Sequence, residues 1–168
     1  MENTVSFKVT SDMLASRGQR FVNYIIDIIM QYILLFILAF ITVIVSEIFS
    51  STAILEWMQD ISDLEGTILF VAIMILYCTL LESYFSRTIG KYITKTMVVL
   101  KDGSKPNSQI ILKRTLCRII PFDALTFLGN NARGWHDSFS DTYVVKKDIF
   151  ERKRALLYSF EEIGKKER

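Results

Sequence analysis

Two carboxylates stand in or beside the most apolar stretches of this sequence. Asp27 interrupts the stretch RFVNYIIDIIMQYILLFILAFITVIVS, and Glu82 ends an apolar run that begins at Gly66. Charged side chains in hydrocarbon are costly, so they usually face a wet cavity or a partner and often serve proton or ion pathways. The sequence therefore predicts reversible binding of a proton or a small cation. An interpretation of equal weight is that Asp27 only packs and hydrogen-bonds between helices and never titrates.

The polar residues of the first apolar stretch share one helical face. At about 100° per residue, four of its side chains fall on a single narrow stripe. Such a stripe predicts contact with another polar surface inside the membrane rather than with lipid. The four residues are Arg20, Asn23, Asp27 and Gln31.

The second apolar stretch repeats this pattern more weakly. Thr79, Glu82 and Ser86 fall within an arc of about 60° on a helix. Because the two helices run in opposite directions, Asp27 and Glu82 should come to a similar depth in the membrane. We therefore predict one polar intramembrane cluster. Its members are Arg20, Asn23, Asp27, Gln31 and Glu82.

The sequence leaves the counter-charge of Asp27 open. Arg20 lies about 10 Å away along the same helix, which is too far for easy pairing. A proton shared with Glu82, or an arginine from the later part of the chain, would offset the desolvation of the carboxylate. The candidate arginines are Arg114, Arg118 and Arg133.

Two membrane-spanning helices are predicted to carry these residues. The chain has 168 residues, of which 51% are hydrophobic, which is too apolar for an ordinary small soluble domain. Helices at about 21–46 and 66–86 are long enough to cross a hydrocarbon core of roughly 30 Å. A soluble protein with two buried core helices is the alternative, but so short a chain has little material to cover both. The polar residues before the first helix disfavour a secretory signal peptide.

The distribution of positive charge sets the predicted orientation. Lys and Arg near span ends stay in the cytoplasm, whereas Asp and Glu contribute little. The connection at 47–65 contains no Lys or Arg, while the segments on either side of the two helices contain several. We expect an all-α, multi-pass integral membrane protein, a two-span helical hairpin with both termini cytoplasmic. Its parts are a cytoplasmic segment at 1–19, a membrane domain at 20–145 and a charged cytoplasmic tail at 146–168.

The segment after the second span is predicted to remain on the cytoplasmic side. KTMVVLKDGSKPNSQ has a strand-like alternation and a turn at Asp102-Gly103, which predicts a short hairpin or an extended connector. IILKRTLCRIIPFDALTFLG is apolar but interrupted by charges, so we favour an interfacial amphipathic helix over a short third hydrophobic helix. In this interpretation Lys113, Arg114 and Arg118 face lipid phosphates.

Two further segments have alternative interpretations. The acidic loop at 47–65 contains Trp57 and either lies at the outer membrane interface or is a plain linker. The tail has Leu156, Leu157 and Phe160 at the spacing of an amphipathic helix, although its charge also suits a solvated tail.

The remaining motifs do not predict an enzyme. TIGK at 88–91 lacks the spacing of a phosphate-binding loop, so Gly90 and Lys91 suit a turn and an interfacial anchor. His136 has no metal-ligand partners at useful spacing, and no disulfide framework is indicated. We expect no metal, no cofactor and no nucleic-acid partner. RGWHD at 133–137 instead suits a fold-back in which Arg133 or His136 pairs with an intramembrane carboxylate and Asp137 pairs with an arginine.

Several of these motifs together resemble the RDD family of small multipass membrane proteins. The resemblance is carried by RFVNYIID, TIGK, MVVLKDGSKPN and RGWHDSFSDTYVV, and it extends from about Arg17 to Val145. It implies a location in a bacterial or archaeal cell (inner) membrane and a role in transport, without naming a substrate. In this resemblance, the arginine and two aspartates of the family name correspond to Arg20, Asp27 and Asp137. The glycine and lysine of the family's TxGK motif correspond to Gly90 and Lys91.

Two functions follow from the sequence as hypotheses. The first is a transporter component for a small cation or a proton that uses the intramembrane carboxylates. It would act as a homo-oligomer, because two spans alone enclose no pathway. The second is a non-transporting membrane subunit or assembly factor that binds a partner membrane protein. In both hypotheses the lipid bilayer surrounds the two spans.

The orientation predicts different labelling of the two sides of the membrane. In intact cells, an impermeant thiol reagent should label Asp60→Cys and leave Gly103→Cys unlabelled, because only the connection at 47–65 lies outside. The parent chain with Cys78 and Cys117 gives the background signal. Protection at position 60 together with labelling at position 103 would reverse the orientation.

Overall fold

Two long helices dominate the protein, for which we have a computed structural model that describes residues 7–50, 52–120, 123–126 and 133–166. Helix α1 is Arg17–Phe49, the short helix α2 is Ala53–Gln59, and the second long helix α3 is Asp63–Phe85. The chain is mostly helical, and α1 and α3 are long and apolar enough to cross a membrane. The predicted helical fold class is confirmed.

A serine precedes and another follows each of the two long helices. Ser16 and Ser62 form capping boxes with the third residue of α1 and α3 respectively, which satisfies N–H groups of the first turn. Ser50 and Ser86 follow the two helices in the left-handed conformation, with φ of 48° and 59°. This conformation ends the helical hydrogen-bond pattern. Local side-chain chemistry therefore sets the bounds of both helices.

The apolar side chains of α1 and α3 point mostly outwards. Only 6% of the most apolar segment of α1 and 11% of that of α3 is buried inside the protein. A core helix of a soluble protein would be covered by its neighbours. The two helices instead present surfaces suited to lipid.

Helix α1 is much longer than α3. It has 33 residues against 23 in α3, and at about 1.5 Å per residue it exceeds a hydrocarbon core of roughly 30 Å by several turns. We call the end where α1 begins and α3 ends the polar end. The first turns of α1 lie there, among the short elements that follow α3.

Short helices and two strands make up the rest of the described structure. The next elements are α4, Ile89–Ile93, then β1, Thr96–Leu100, and α5, Ser108–Cys117. They are followed by α6, Asp123–Thr126, and α7, Trp135–Phe139. The last elements are β2, Thr142–Lys146, and α8, Lys147–Lys166.

The two strands pair with each other across a long stretch of sequence. β1 and β2 are antiparallel, with Val98 opposite Val144. The strand-like character and the turn at Asp102-Gly103 are present, but β1 does not form a hairpin with the residues after that turn. Those residues enter α5, because Asn107 caps its start by accepting a hydrogen bond from the Ile110 amide at 2.8 Å.

A small apolar core packs segments from near both ends of the described chain against the two strands. It contains Met13, Val99, Val145 and Phe150, from the segment before α1, both strands and α8. The charged tail is therefore held at its start by the packing of Phe150. Further along α8, Leu156 and Phe160 are 56% and 67% exposed.

The third hydrophobic stretch does not form a spanning helix within its described residues. Helix α5 has 10 residues and α6 has 4, whereas a span needs about 20. Helix α5 packs against α3 and α7, and its Leu112 and Leu116 are exposed. Residues 121–122 and 127–129 of this stretch lie outside the described ranges.

Helix α4 packs closely against α1 at Gly90. A Cβ atom on Gly90 would lie 2.5 Å from the Asn23 carbonyl oxygen and 3.0 Å from a carboxylate oxygen of Asp27. Real Cβ atoms do not approach backbone this closely. Only glycine allows the two helices to meet at this distance.

This contact predicts opposite effects for two glycine substitutions. Gly90→Ala should destabilise the fold by about 1–3 kcal/mol, because the new methyl group overpacks the contact with α1. Gly66→Ala is the matched control, since no atom lies within 4 Å of its Cβ position in α3. Alanine favours helix by up to about 1 kcal/mol, so this variant should melt at or above the wild-type temperature in detergent. Equal melting temperatures for both variants would contradict the close approach.

Candidate functional site

Seven ionisable side chains form one network at the polar end, which we call the buried charge cluster. They come from α1, α3, α4, α5 and α7 and from the residue after α5. All but one are at most 6% exposed; the exception is intermediate in burial. The cluster consists of Arg20, Asp27, Glu82, Lys91, Arg114, Arg118 and Asp137.

Glu82 is surrounded by three cations. Its carboxylate lies 2.9 Å from Lys91 Nζ, 2.6 Å from Arg114 Nη1 and 2.9 Å from Arg118 Nη2. Glu82 itself is fully buried. Because removal of a carboxylate from water is offset only by good pairing, these contacts explain how it is tolerated.

Asp27 is held mainly by neutral donors. It accepts hydrogen bonds from the Tyr77 hydroxyl at 2.9 Å, the Thr88 hydroxyl at 2.7 Å and the Gly90 amide at 2.9 Å. Its ion pair with Lys91 is longer, at 3.8 Å. None of the arginines named from the sequence pairs with Asp27 among the described contacts, and Lys91 takes that place. The carboxylate lies at the start of α4, where backbone N–H groups lack helical partners.

Lys91 connects the carboxylates of the two long helices. Its ammonium group reaches Glu82 and Asp27 and also donates to Thr88 Oγ1 at 3.2 Å. The interpretation of Lys91 as an interfacial anchor is therefore wrong. The side chain turns inwards because two buried carboxylates lie within its reach, and it is 4% exposed.

Asp137 joins α7 to the cluster. It pairs with Arg20, lies 2.7 Å from Arg114 Nη2 and accepts from the Gly134 amide at 3.1 Å. The fold-back of RGWHD that pairs Asp137 with an arginine is present. Burial raises the pKa of Asp137, but His136 and the two arginines outweigh that effect and hold the pKa well below its usual range.

The arginines of the α5 segment face inwards. Arg114 is fully buried between Glu82 and Asp137, and Arg118 reaches Glu82. Of the residues expected to face lipid phosphates, only Lys113 is exposed. The expectation fails for the other two because buried carboxylates on α3 and α7 bind the guanidinium groups. Burial lowers the pKa of Arg118, but the charge of Glu82 raises it further, so the net direction is upwards.

His136 pairs with Asp123 beside the cluster. Its Nδ1 atom lies 2.5 Å from one carboxylate oxygen of Asp123, and its amide donates to the other at 2.9 Å. Burial lowers the pKa of His136 and exceeds the opposing influence of Asp137 and Asp123. Burial raises the pKa of Asp123, but its contacts with His136 lower it further. His136 does not pair with Asp27 or Glu82.

The remaining members of the predicted stripe on α1 are also buried. The Asn23 amide contacts the hydroxyl groups of Thr94 and Thr96, at 2.5 and 3.1 Å. Gln31, which is 4% exposed, lies about one turn beyond Asp27 in the apolar part of α1. Arg133 stacks over Tyr143 instead of pairing with either carboxylate of the long helices.

A cavity of about 280 Å³ lies against the cluster. Asn23, Asp27 and Gln31 line it from α1. On its other sides it is lined by basic side chains of the cluster, by His136, and by apolar side chains of α1, α3 and the end of α5. The predicted polar stripe thus faces an open volume within the protein.

Helical periodicity located some members of the site and missed others. Arg20, Asp27 and Glu82 were predicted to share one cluster, and the structure brings them into one network of contacts. Tyr77 and Thr88 were not singled out, because a single polar side chain in or after an apolar helix gives no periodic signal. The sequence signal that could have identified Tyr77 is its position as a polar-tipped residue within the aliphatic run of α3.

Removal of Arg114 should be far more damaging than removal of its neighbour. Arg114→Gln should destabilise the protein by roughly 3–5 kcal/mol, since it leaves two buried carboxylates short of a cation. Lys113→Gln is the matched control on the same helix and should change stability by less than about 0.5 kcal/mol. Thermal melting of both variants in the same detergent measures the difference. Similar melting temperatures would show that the Arg114 contacts do not hold the fold.

Comparison with known proteins gives a family for this arrangement. The family model described as RDD family matches residues 14–145, which is most of the chain. No curated protein and no solved structure gives a significant match. The matched region includes α1, α3 and every residue of the buried charge cluster. The chain is a membrane protein that belongs to the RDD family.

Proposed function

We propose that this RDD-family protein is a component of a transporter that moves protons at Asp27. The observation that carries the proposal is the position of Lys91, whose ammonium group is shared between Glu82 and Asp27. Thr88 lies between the ammonium and Asp27, with Oγ1 3.2 Å from Nζ and 2.7 Å from Oδ2. Transfer of one proton from Lys91 through this hydroxyl would leave a neutral amine and a neutral carboxyl group.

Asp27 suits this role better than the other carboxylates of the cluster. Glu82 is held by three cations at 2.6–2.9 Å, and Asp137 is held by two arginines. Asp27 has only the longer contact to one lysine at 3.8 Å. It also lines the cavity, so a solute or proton can reach it without breaking the stronger pairs.

A proton fits the site better than a metal cation. A sodium or potassium ion at Asp27 would displace Lys91 and would lie beside four cationic side chains that line the cavity. Like charges at these distances repel strongly in a poorly solvated site. A proton needs no coordination shell, and its transfer from Lys91 to Asp27 neutralises both groups without adding a charge to the site. Of the two cargoes predicted from the sequence, we retain the proton.

We also propose that the protein forms an oligomer in the cell (inner) membrane. Two spanning helices do not enclose a pathway, and α1 exposes large apolar side chains on several sides, among them Phe36 at 72% and Phe40 at 58%. Such surfaces suit lipid or a second copy. In this proposal both termini lie on the cytoplasmic side, which is supported by the lack of Lys and Arg in the connection at 47–65.

A non-transporting subunit that binds a partner protein is the second candidate. Helix α8 supports it, since Leu156 and Phe160 are exposed beyond the part of the helix packed on the core. Exposed apolar side chains on an amphipathic helix suit a groove on another protein. A proton flux from the purified protein alone would distinguish the two candidates.

Proteoliposomes provide the test of the proton proposal. Wild-type protein, reconstituted alone, should move protons in response to an imposed membrane potential, measured with a dye trapped inside. Asp27→Asn and Lys91→Met should reduce the rate to that of protein-free liposomes, because each removes one end of the Lys91–Thr88–Asp27 path. All samples should elute as folded protein before reconstitution.

Exposed residues of the same types supply the controls. Asp63→Asn at the start of α3 and Lys113→Met on α5 change the same charges at exposed positions, so the flux should remain at the wild-type rate. Flux that survives Asp27→Asn would overturn the role of this carboxylate. Absence of flux from folded wild-type protein would favour the partner-binding function.

A further inference from the structure

The cavity wall is more positive than the surrounding cluster. Four cations line the cavity, but Asp27 is the one carboxylate of the cluster among the described lining residues. Glu82 and Asp137 pair with the cations without lining the cavity, and Asp123 lines it together with His136. A solute in the cavity therefore meets four cations and two carboxylates. The lining cations are Arg20, Lys91, Arg114 and Arg118.

Several guanidinium N–H groups of the lining arginines have no hydrogen-bond partner among the described residues. They belong to Nε and Nη2 of Arg20 and to Nε of Arg114. Arg20 is 5% exposed and Arg114 is fully buried, so bulk water does not serve these atoms. Buried charged donors are rarely left unpaired, because the full cost of their desolvation remains. A bound acceptor would remove that cost.

Part of the cavity wall is apolar. Ile28 on α1, Phe70 and Met74 on α3, and Ile119 and Ile120 after α5 contribute to it. Phe70 and Met74 lie several turns from the end of α3, so this part of the wall extends towards the apolar part of the helices. This division matches a molecule with an anionic head and an apolar tail.

We propose that the cavity binds a phosphate-type oxyanion. Three arginines and one lysine face it, and guanidinium groups match the oxygens of a phosphate with paired, charge-assisted hydrogen bonds. A tetrahedral oxyanion presents acceptors in several directions, so it can serve donors from α1 and α5 together. The apolar wall makes a lipid phosphate the expected source, and inorganic phosphate is the other.

This inference goes beyond the proposed proton movement, although the anion would occupy the same cavity that Asp27 lines. Binding itself needs no proton movement. It can be measured on detergent-solubilised protein in the absence of a membrane potential, so the outcome is independent of the flux experiment. Loss of proton flux does not entail loss of anion binding, and loss of anion binding does not entail loss of proton flux.

Short-chain lipids and inorganic phosphate provide the probes. Equilibrium dialysis and ligand-dependent melting of the full chain should be measured with short-chain phosphatidic acid, the diacylglycerol of the same chain length, short-chain phosphatidylcholine and inorganic phosphate. A ligand that binds only the folded state raises the melting temperature, and the increase grows with the logarithm of the ligand concentration once that exceeds Kd. We expect phosphatidic acid to bind and stabilise, with the diacylglycerol without effect. Binding of inorganic phosphate with equal affinity would identify the free anion as the source.

Variants at the cavity wall test the location of the anion. Arg118→Gln and Arg20→Gln should each weaken binding by about tenfold or more, the effect of one lost charge-assisted contact. Arg118 is the safer position, because Glu82 keeps contacts with Arg114 and Lys91 when it is replaced. Arg118→Lys keeps the charge but loses the paired geometry and should fall between wild type and Arg118→Gln.

Lys113→Gln is the matched control for the cavity variants. It removes an exposed cation from the same helix as Arg114 and should leave the affinity for phosphatidic acid unchanged. Equal loss of affinity in Lys113→Gln and Arg118→Gln would assign the binding to general surface charge and overturn the proposal. Equal binding of phosphatidic acid and the uncharged diacylglycerol, or no binding of any phosphate probe, would also overturn it.

Discussion

The polar end depends on the contacts of Arg114 with Glu82 and Asp137. One terminal nitrogen lies 2.6 Å from Glu82 and the other lies 2.7 Å from Asp137. All three side chains are fully buried. A buried ion pair is weak evidence of net stability, but loss of one partner leaves a charge that nothing else can solvate. The packing of α5 between α3 and α7 therefore follows from the need to keep these charges together.

Asp27 and Glu82 show how similar positions acquire different chemistry. Both are buried carboxylates at the polar end of a long apolar helix. Glu82 is paired with three cations at short distance, whereas Asp27 is satisfied chiefly by two hydroxyl groups and an amide. Hydrogen bonds from neutral donors can rearrange without leaving an unpaired charge. The two carboxylates therefore differ in the kind of partner that offsets their desolvation, although both lie at the same end of the helix pair.

The long helices and part of the site could be predicted from the sequence because both depend on local periodicity. An apolar run predicts a span, the spacing of Arg20 and Asp27 predicts a polar face on α1, and the spacing of Glu82 from its polar neighbours predicts one on α3. The inward orientation of the Lys91 and Arg114 side chains could not be predicted from helical periodicity. Their position beside a membrane suggested an interfacial anchor for Lys91 and contact with lipid phosphates for Arg114, but the carboxylates that bind them lie on other elements. Pairing of β1 with β2 was missed for the same reason, since its partner is distant in sequence.

Distance along the chain also affects how the protein is made. Arg20 and Asp137 are 117 residues apart, and Glu82 and Arg114 are 32 apart. Synthesis runs from the N-terminus, so α1 and α3 leave the ribosome before Arg114, Arg118 and Asp137 do. During that interval Glu82 lacks two of the three cations that later surround it. Water at the membrane surface must solvate this carboxylate until those cations arrive. Biogenesis thus passes through a state that the finished fold no longer contains.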